Sequence, residues 1–294
     1  MTIAEFYHSF KDESSCKIHL KLSREKSGIS CKKCGHQAHY WLSKKEQWQC
    51  KNCNFRTTLR SGTLFESSNL PLKLWYEALY LVCNTKKGIS ACELQRQLGL
   101  KRYEPAWYMM HKIRKAMSRI NEMDQYHGNI ELSNTFFTTL DEKKATVRGE
   151  RKSIQGNQKQ KALIMAASSI SKNQSGNGKG GGIRILAVED LKQGIIWKME
   201  NHSPQHSNKL KESGYRNYKI LNPHQFQPNL ILSSQTFIFP WIHTAIGNIK
   251  RLIKGIYHHV SDRFSQLYFD EFAFKFNYRN RKDKWNIVLN STLE

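Results

Sequence analysis

Acidic residues are scarce in this chain. Against 24 Asp and Glu stand 47 Lys and Arg, a formal charge of +23 over 294 residues. The basic excess is spread along the sequence and not gathered in a tail. A folded protein this basic points to a polyanion, with double-stranded DNA the leading candidate and a solvated basic surface without a dedicated partner the plain alternative. Long apolar runs are also missing. Runs such as Leu79–Cys83 and Phe237–Ile242 fall far short of the roughly 20 residues a membrane helix needs, so no membrane partner is expected. The opening MTIAEFYHSFKDE carries acids early and has no basic-then-apolar leader, which argues for a cytoplasmic location. With 39% apolar and 11% aromatic residues, wholesale disorder is excluded.

Of the seven cysteines, four fall as Cys31-x-x-Cys34 and Cys50-x-x-Cys53, fifteen residues apart. Two short knuckles at that separation can close four thiolates around one tetrahedral Zn²⁺, the zinc-ribbon arrangement. A disulfide pair suits an exported protein instead. The intervening GHQAHYWLSKKEQWQ reads as two short strands, with Tyr40, Trp41 and Trp48 to pack a small module. His36 and His39 read as surface residues beside a site that four Cys already close. Cys83 and Cys92 lie in apolar helical settings, where a thiol is an ordinary core group.

A helical block follows. Leu72, Trp75, Tyr76, Leu79, Tyr80 and Cys83 keep three-four spacing behind Pro71, which predicts an amphipathic helix. Ser90 is a candidate N-cap for a short helix over 91–98, ended by Gly99. A third helix is expected over roughly Pro105–Met117, with Arg102, His111, Lys112, Arg114 and Lys115 on its flanks. Short helix, Gly-containing turn and basic helix give a helix-turn-helix reading, in which Arg102, Trp107, His111, Lys112, Arg114 and Lys115 face DNA. A three-helix bundle with a solvated basic face is the alternative.

From Asn129 the periodicity changes. Residues 130–137, IELSNTFF, alternate and are rich in strand formers, 162–169 (ALIMAASS) reads as a buried strand, and 183–188 (IRILAV) as another. Between the last two, SKNQSGNGKGGG at 171–182 has the composition of a flexible loop. It is no phosphate loop, because Gly178-Lys179 is followed by Gly180 and no Walker frame fits. Helical spacing returns over Phe239–Lys254 and Ser261–Asn277.

In this order, the modules resemble the bacterial insertion-sequence transposases that carry an N-terminal zinc ribbon and an RNase H-like DDE domain. Matching stretches are SGTLFESSNLPLKLWYEALYL, KGISACELQRQLGL and AWYMMHKIRKAM. Near the end, His243-x4-Asn248-Ile249-Lys250, GIYHHVS and YFDEFAFKFNYR match the family's closing segment. The resemblance covers most of residues 28–282. It implies a multidomain α+β chain: an extension at 1–27, a zinc ribbon at 28–60, a helix-turn-helix at 70–120, an RNase H-like α/β domain with a mixed sheet at 128–282, and a tail at 283–294. The extension and the tail carry no interpretable motif. It further implies DNA as partner, a homodimer or higher homo-oligomer, and a bacterial nucleoid-associated location.

Family chemistry uses carboxylates on two strands to hold two Mg²⁺ or Mn²⁺ ions about 4 Å apart. The family's first strand runs apolar-Glu-apolar-Asp-Glu-Thr-aromatic. Here Ile130-Glu131-Leu132-Ser133-Asn134-Thr135-Phe136 stands in its place, so Ser133 replaces the first Asp. Counting back from Gly214-Tyr215 through Leu210 puts His202 at the second Asp. Asn248 fits the third position, where the family accepts Glu, Asn or His, and Lys250 matches the nearby base. Glu131 and Glu200 are possible surrogates. A shift of about 1 Å can cost such catalysis roughly a hundredfold, however. The reading is a sequence-specific DNA-binding protein derived from a transposase, regulatory or architectural, its catalytic site degenerate, with Lys250, Arg251 and a wider patch (Lys143, Lys144, Arg148, Arg151, Lys152, Lys254) holding phosphates. The alternatives are an active two-metal transposase with a shifted site and a nucleic-acid-binding adaptor.

Overall fold

The computed structural model describes residues 1–124, 129–140, 158–170, 179–188, 229–230 and 240–293. They form two compact units, Met1–Ile120 with Asn280–Glu294, and Asn121–Arg279.

The first unit begins with two helices in the N-terminal extension. α1 (Ile3–Ser9) opens on a capping box between Thr2 and Glu5, and α2 (Glu13–Ser27) on one between Asp12 and Ser15. Their buried residues Phe6, Phe10, Cys16 and Leu20 supply the face that α3 (Leu72–Asn84) needs. The Phe6 ring lies 4.4 Å from that of Tyr80, and the Phe10 ring 5.0 Å from that of Tyr76. Trp285, on the short α8 (Lys284–Asn290), completes the cluster at 5.8 Å from Phe6 and 5.3 Å from Phe10. Both ends of the chain therefore share one aromatic core, whose ring pairs add to the burial of apolar area.

α3 starts after Pro71 as the spacing predicts, and Ser90 caps α4 (Ala91–Gln97) by accepting from the Glu93 N–H. Gly99 adopts φ +62°, which lets Leu100 N–H reach the Gln95 carbonyl and close the helix end. α5 (Tyr103–Met123) is longer at both ends than expected. Between α2 and α3 lies a three-stranded antiparallel sheet: β1 (His39–Leu42), β2 (Gln47–Cys50) and β3 (Arg56–Thr58). The first two are the expected strands; the third continues past the second Cys pair.

The second unit holds a mixed sheet of β4 (Asn129–Leu140), β5 (Gln158–Ile170), β6 (Lys179–Val188) and β7 (Asn229–Leu230), in the order β6-β5-β4-β7. β4–β5 and β5–β6 run antiparallel, while β7 lies parallel to β4. Lys179–Gly182, read from composition as the end of a flexible loop, instead start β6, because they pair with β5; residues 171–178 lie outside the described residues. α6 (Pro240–Leu252) packs on β4 and β5, runs into a π-helical turn at Ile253–Tyr257, and buries Ala245, Ile249 and Ile253. α7 (Ser265–Asn277) follows a 3₁₀ turn at Asp262–Phe264 and lies along β6. Its Gln266 and Asn277 side chains bond the edge backbone of β6 at Ala187 N–H (2.8 Å), Ile185 O (2.9 Å), Ile183 N–H (2.7 Å) and Ile183 O (3.1 Å). An edge capped this way cannot recruit another strand.

Candidate metal centre and candidate catalytic strand

Each Cys pair sits on the same turn. In the first, Cys31 N–H donates to His36 O (2.9 Å) and Gly35 N–H to Cys31 O (2.8 Å). In the second, Cys50 N–H donates to Phe55 O (2.9 Å) and Asn54 N–H to Cys50 O (3.1 Å). The residue after each second Cys has positive φ, +71° at Gly35 and +57° at Asn54, a conformation glycine and asparagine tolerate best. These two were not singled out from sequence, although their place directly after each C-x-x-C was the available signal.

The four Sγ atoms lie within 4.8 Å of one another. Separations are 3.5 Å for Cys31–Cys53, 3.6 Å for Cys34–Cys50 and 3.4 Å for Cys34–Cys53. A tetrahedral Zn²⁺ with Zn–S near 2.3 Å sets its sulfurs about 3.8 Å apart, so the cage is close to size. None of the four is joined in a disulfide. Burial pushes the Cys31 thiol up, but the Cys34 and Lys33 backbone N–H groups and the neighbouring thiols outweigh it and bring it down to about 7. The same balance lowers Cys50, while at Cys53 the lowering by the Phe55 backbone N–H is outweighed by burial and the neighbouring thiols, which push it up to about 12. A divalent cation held by these four sulfurs would keep all of them as thiolates. Among the described residues no other Cys, His or acid joins the cluster.

Behind the cage, α2 props the sheet. Arg24, 7% exposed, lies 4.8 Å over the Trp48 ring and donates to Thr58 O and Leu59 O at 2.8 and 2.9 Å. Lys21 lies 5.1 Å over the Trp41 ring.

The expected DNA-facing residues of α5 separate into two groups, and this corrects the sequence reading. Arg114 is 1% exposed and His111 9%; both lie on the core face with Met110, Ile113 and Met117. Arg114 stands four residues after Met110 and His111 four after Trp107, a helical spacing that was the signal beside their charge. Lys112 is turned back onto the protein, donating to Glu66 O at 2.6 Å and sitting 5.8 Å over the Trp75 ring, and burial lowers its pKa. Trp107 is half-buried with its ring 3.8 Å from that of His111. Arg102 and Lys115 are exposed.

On β4, Glu131 stands opposite Ala167 and Ser133 opposite Met165, and the two-residue period gives both one face. β7 runs beside the start of this strand, Asn229 against Asn129 and Leu230 against Ile130. Asn248 belongs to α6, the helix packed on β4 and β5, and its Oδ1 accepts from the Arg251 guanidinium at 2.8 Å. Lys250 and Arg251 are exposed there, as is Lys254 in the π turn. Glu200, His202 and the basic residues of 143–152 lie outside the described residues.

Residues 125–277 match the model of the ISXO2-like transposase domain, and residues 11–56 that of the transposase zinc-ribbon domain. The ribbon match begins at Lys11, just before α2, the helix that braces the ribbon sheet. No curated protein and no solved structure matches the chain. The first match covers more than half of the 294 residues, and the chain belongs to the ISXO2-like transposase family.

Proposed function

We propose that this family member binds duplex DNA but lacks the family's cutting and joining chemistry, and so acts as a regulatory or architectural factor, working as a homodimer or higher homo-oligomer. One observation carries the reading. β4 offers Glu131 as its single acid, and its parallel neighbour β7 lies within a stretch, 213–261, that contains no Asp or Glu. A hard Mg²⁺ or Mn²⁺ ion needs several anionic oxygens, and a sheet centre with Ser133 and Asn134 in place of acids supplies few. The strand order β6-β5-β4-β7, with one parallel pair among antiparallel ones, supports an RNase H-like arrangement. α4 and α5 support a helix-turn-helix, and Arg102, Lys115, Lys250 and Arg251 provide exposed charge for phosphates.

Glu131 shares the Ser133 face, which keeps one rival specific: an active transposase that uses Glu131, Glu200 and Asn248. Fluorescence anisotropy of the zinc-loaded full chain on a labelled random-sequence duplex tests the binding reading. Affinity should fall about a thousandfold between about 50 and about 200 mM salt if some six phosphates are neutralised. No binding at low salt overturns the reading, and Mg²⁺-dependent nicking lost on Glu131→Ala would establish the rival.

A further inference from the structure

The ribbon sheet has two faces, and among the described residues only one is packed against a helix. Trp48, Cys50 and Thr57 point inward, each at most 2% exposed, with α2 laid across them through Arg24 and Lys21. On the opposite face the strand registers put Tyr40 beside Gln49 and Gln49 beside Arg56, one row across all three strands. Tyr40 is 59% exposed and carries the Lys51 ammonium 4.7 Å over its ring. Arg56 is exposed at the other end of the row.

We propose that this outer face, through Tyr40, Gln49 and Arg56, docks in the major groove of double-stranded DNA. The inference rests on the DNA-binding reading above and names the surface that carries it. Charge favours the partner: residues 28–60 hold seven Lys and Arg against one acid, Glu46, which is itself bonded to Lys17 at 2.9 Å. The chemistry fits base edges: guanidinium pairs with guanine, a carboxamide with adenine, and an apolar ring meets a thymine methyl or a sugar. Single strands instead call for successive stacking aromatics, and Tyr40 is the one aromatic that the three strands place on this face. The face gains weight because Arg114, His111 and Lys112 of α5 are turned to the core or to the protein's own carbonyls.

The test is duplex binding by the zinc-loaded full chain and its variants, with zinc content measured to confirm that each ribbon is formed. Arg56→Glu should weaken binding to a random-sequence duplex about tenfold or more and lower the salt slope by about one. Tyr40→Ala should weaken it about fivefold or more, the lower end of what an aromatic contact contributes. Lys87→Ala, which removes one exposed charge outside the row, should change it less than either. If the parent chain binds duplex and both row variants bind as tightly as Lys87→Ala, the sheet-face proposal falls while the DNA-binding reading stands. If the parent does not bind duplex, the reading itself falls and the proposal with it. Loss confined to a single-stranded probe also overturns the duplex assignment.

Discussion

Glu13 joins α2 to the start of α3. Its two carboxylate oxygens accept from Leu72 N–H and Lys73 N–H, both at 2.9 Å. A helix start leaves four backbone N–H groups without intrahelical partners, and Pro71 at the N-cap of α3 offers no side-chain acceptor. Glu13 therefore does from a distance what a capping residue does locally. Losing a cap costs about 0.5–2 kcal/mol, and hydrogen bonds to a charged group about 1.5–3 kcal/mol each. The Glu13 side chain is 35% exposed, so water re-enters when it is removed and the upper end does not apply. Arg60, 3.7 Å away, adds no more than an exposed ion pair, about 0–1 kcal/mol. Glu13→Ala should thus destabilise the first unit by about 2–3 kcal/mol, and Glu13→Gln, which keeps one acceptor oxygen, by about half as much. Hydrogen exchange of the α3 amides reads this directly, as a protection loss of about thirtyfold or more in the Ala variant. An Ala variant within about 0.5 kcal/mol of the parent would refute the capping argument.

Three further outcomes are expected. Gly35→Ala meets no atom within 4 Å, so its cost is backbone alone, about 1–2 kcal/mol for a left-handed alanine; chelator competition should show zinc held about fivefold or more weaker, and Asn54→Gly slightly tighter. Burial holds the His19 imidazole below its ordinary 6.5, so the unfolded chain takes the proton more readily. Stability is then full above about pH 6.5 and is lost as pH falls through that value, and His19→Gln should flatten this slope in urea titrations across pH. Asn277→Ala removes the side-chain bonds to the Ile183 N–H and carbonyl, which should cost about 1–3 kcal/mol by thermal unfolding and promote edge association visible by gel filtration.

Local rules that leave a mark in sequence were legible. Cys spacing gave the ribbon, Pro71, Ser90 and Gly99 gave the helix boundaries, alternation gave the centre of β4, and short apolar runs gave those of β5 and β6. What escaped depends on distant partners. α1 and α2 carry thin apolar stripes, Phe6 and Phe10, then Cys16 and Leu20, that make sense only against Tyr76 and Trp285. Thr2-x-x-Glu5 was a readable capping box all the same. Strand ends ran long, to Leu140 and back to Lys179, because pairing overrides local propensity. For the binding residues, charge misled: Arg114 shares the helical period of the core, and burial follows the period. The outer row of the ribbon was hidden because register, not sequence spacing, brings Tyr40, Gln49 and Arg56 side by side.

The most direct test of the central claim is Mn²⁺ titration by calorimetry on the zinc-saturated full chain. A sheet centre with Ser133, Asn134 and a lone Glu131 should give no stoichiometric binding in the micromolar range. Two bound Mn²⁺ ions, lost on Glu131→Ala, would mean that a working two-metal site survives, and would contradict the account.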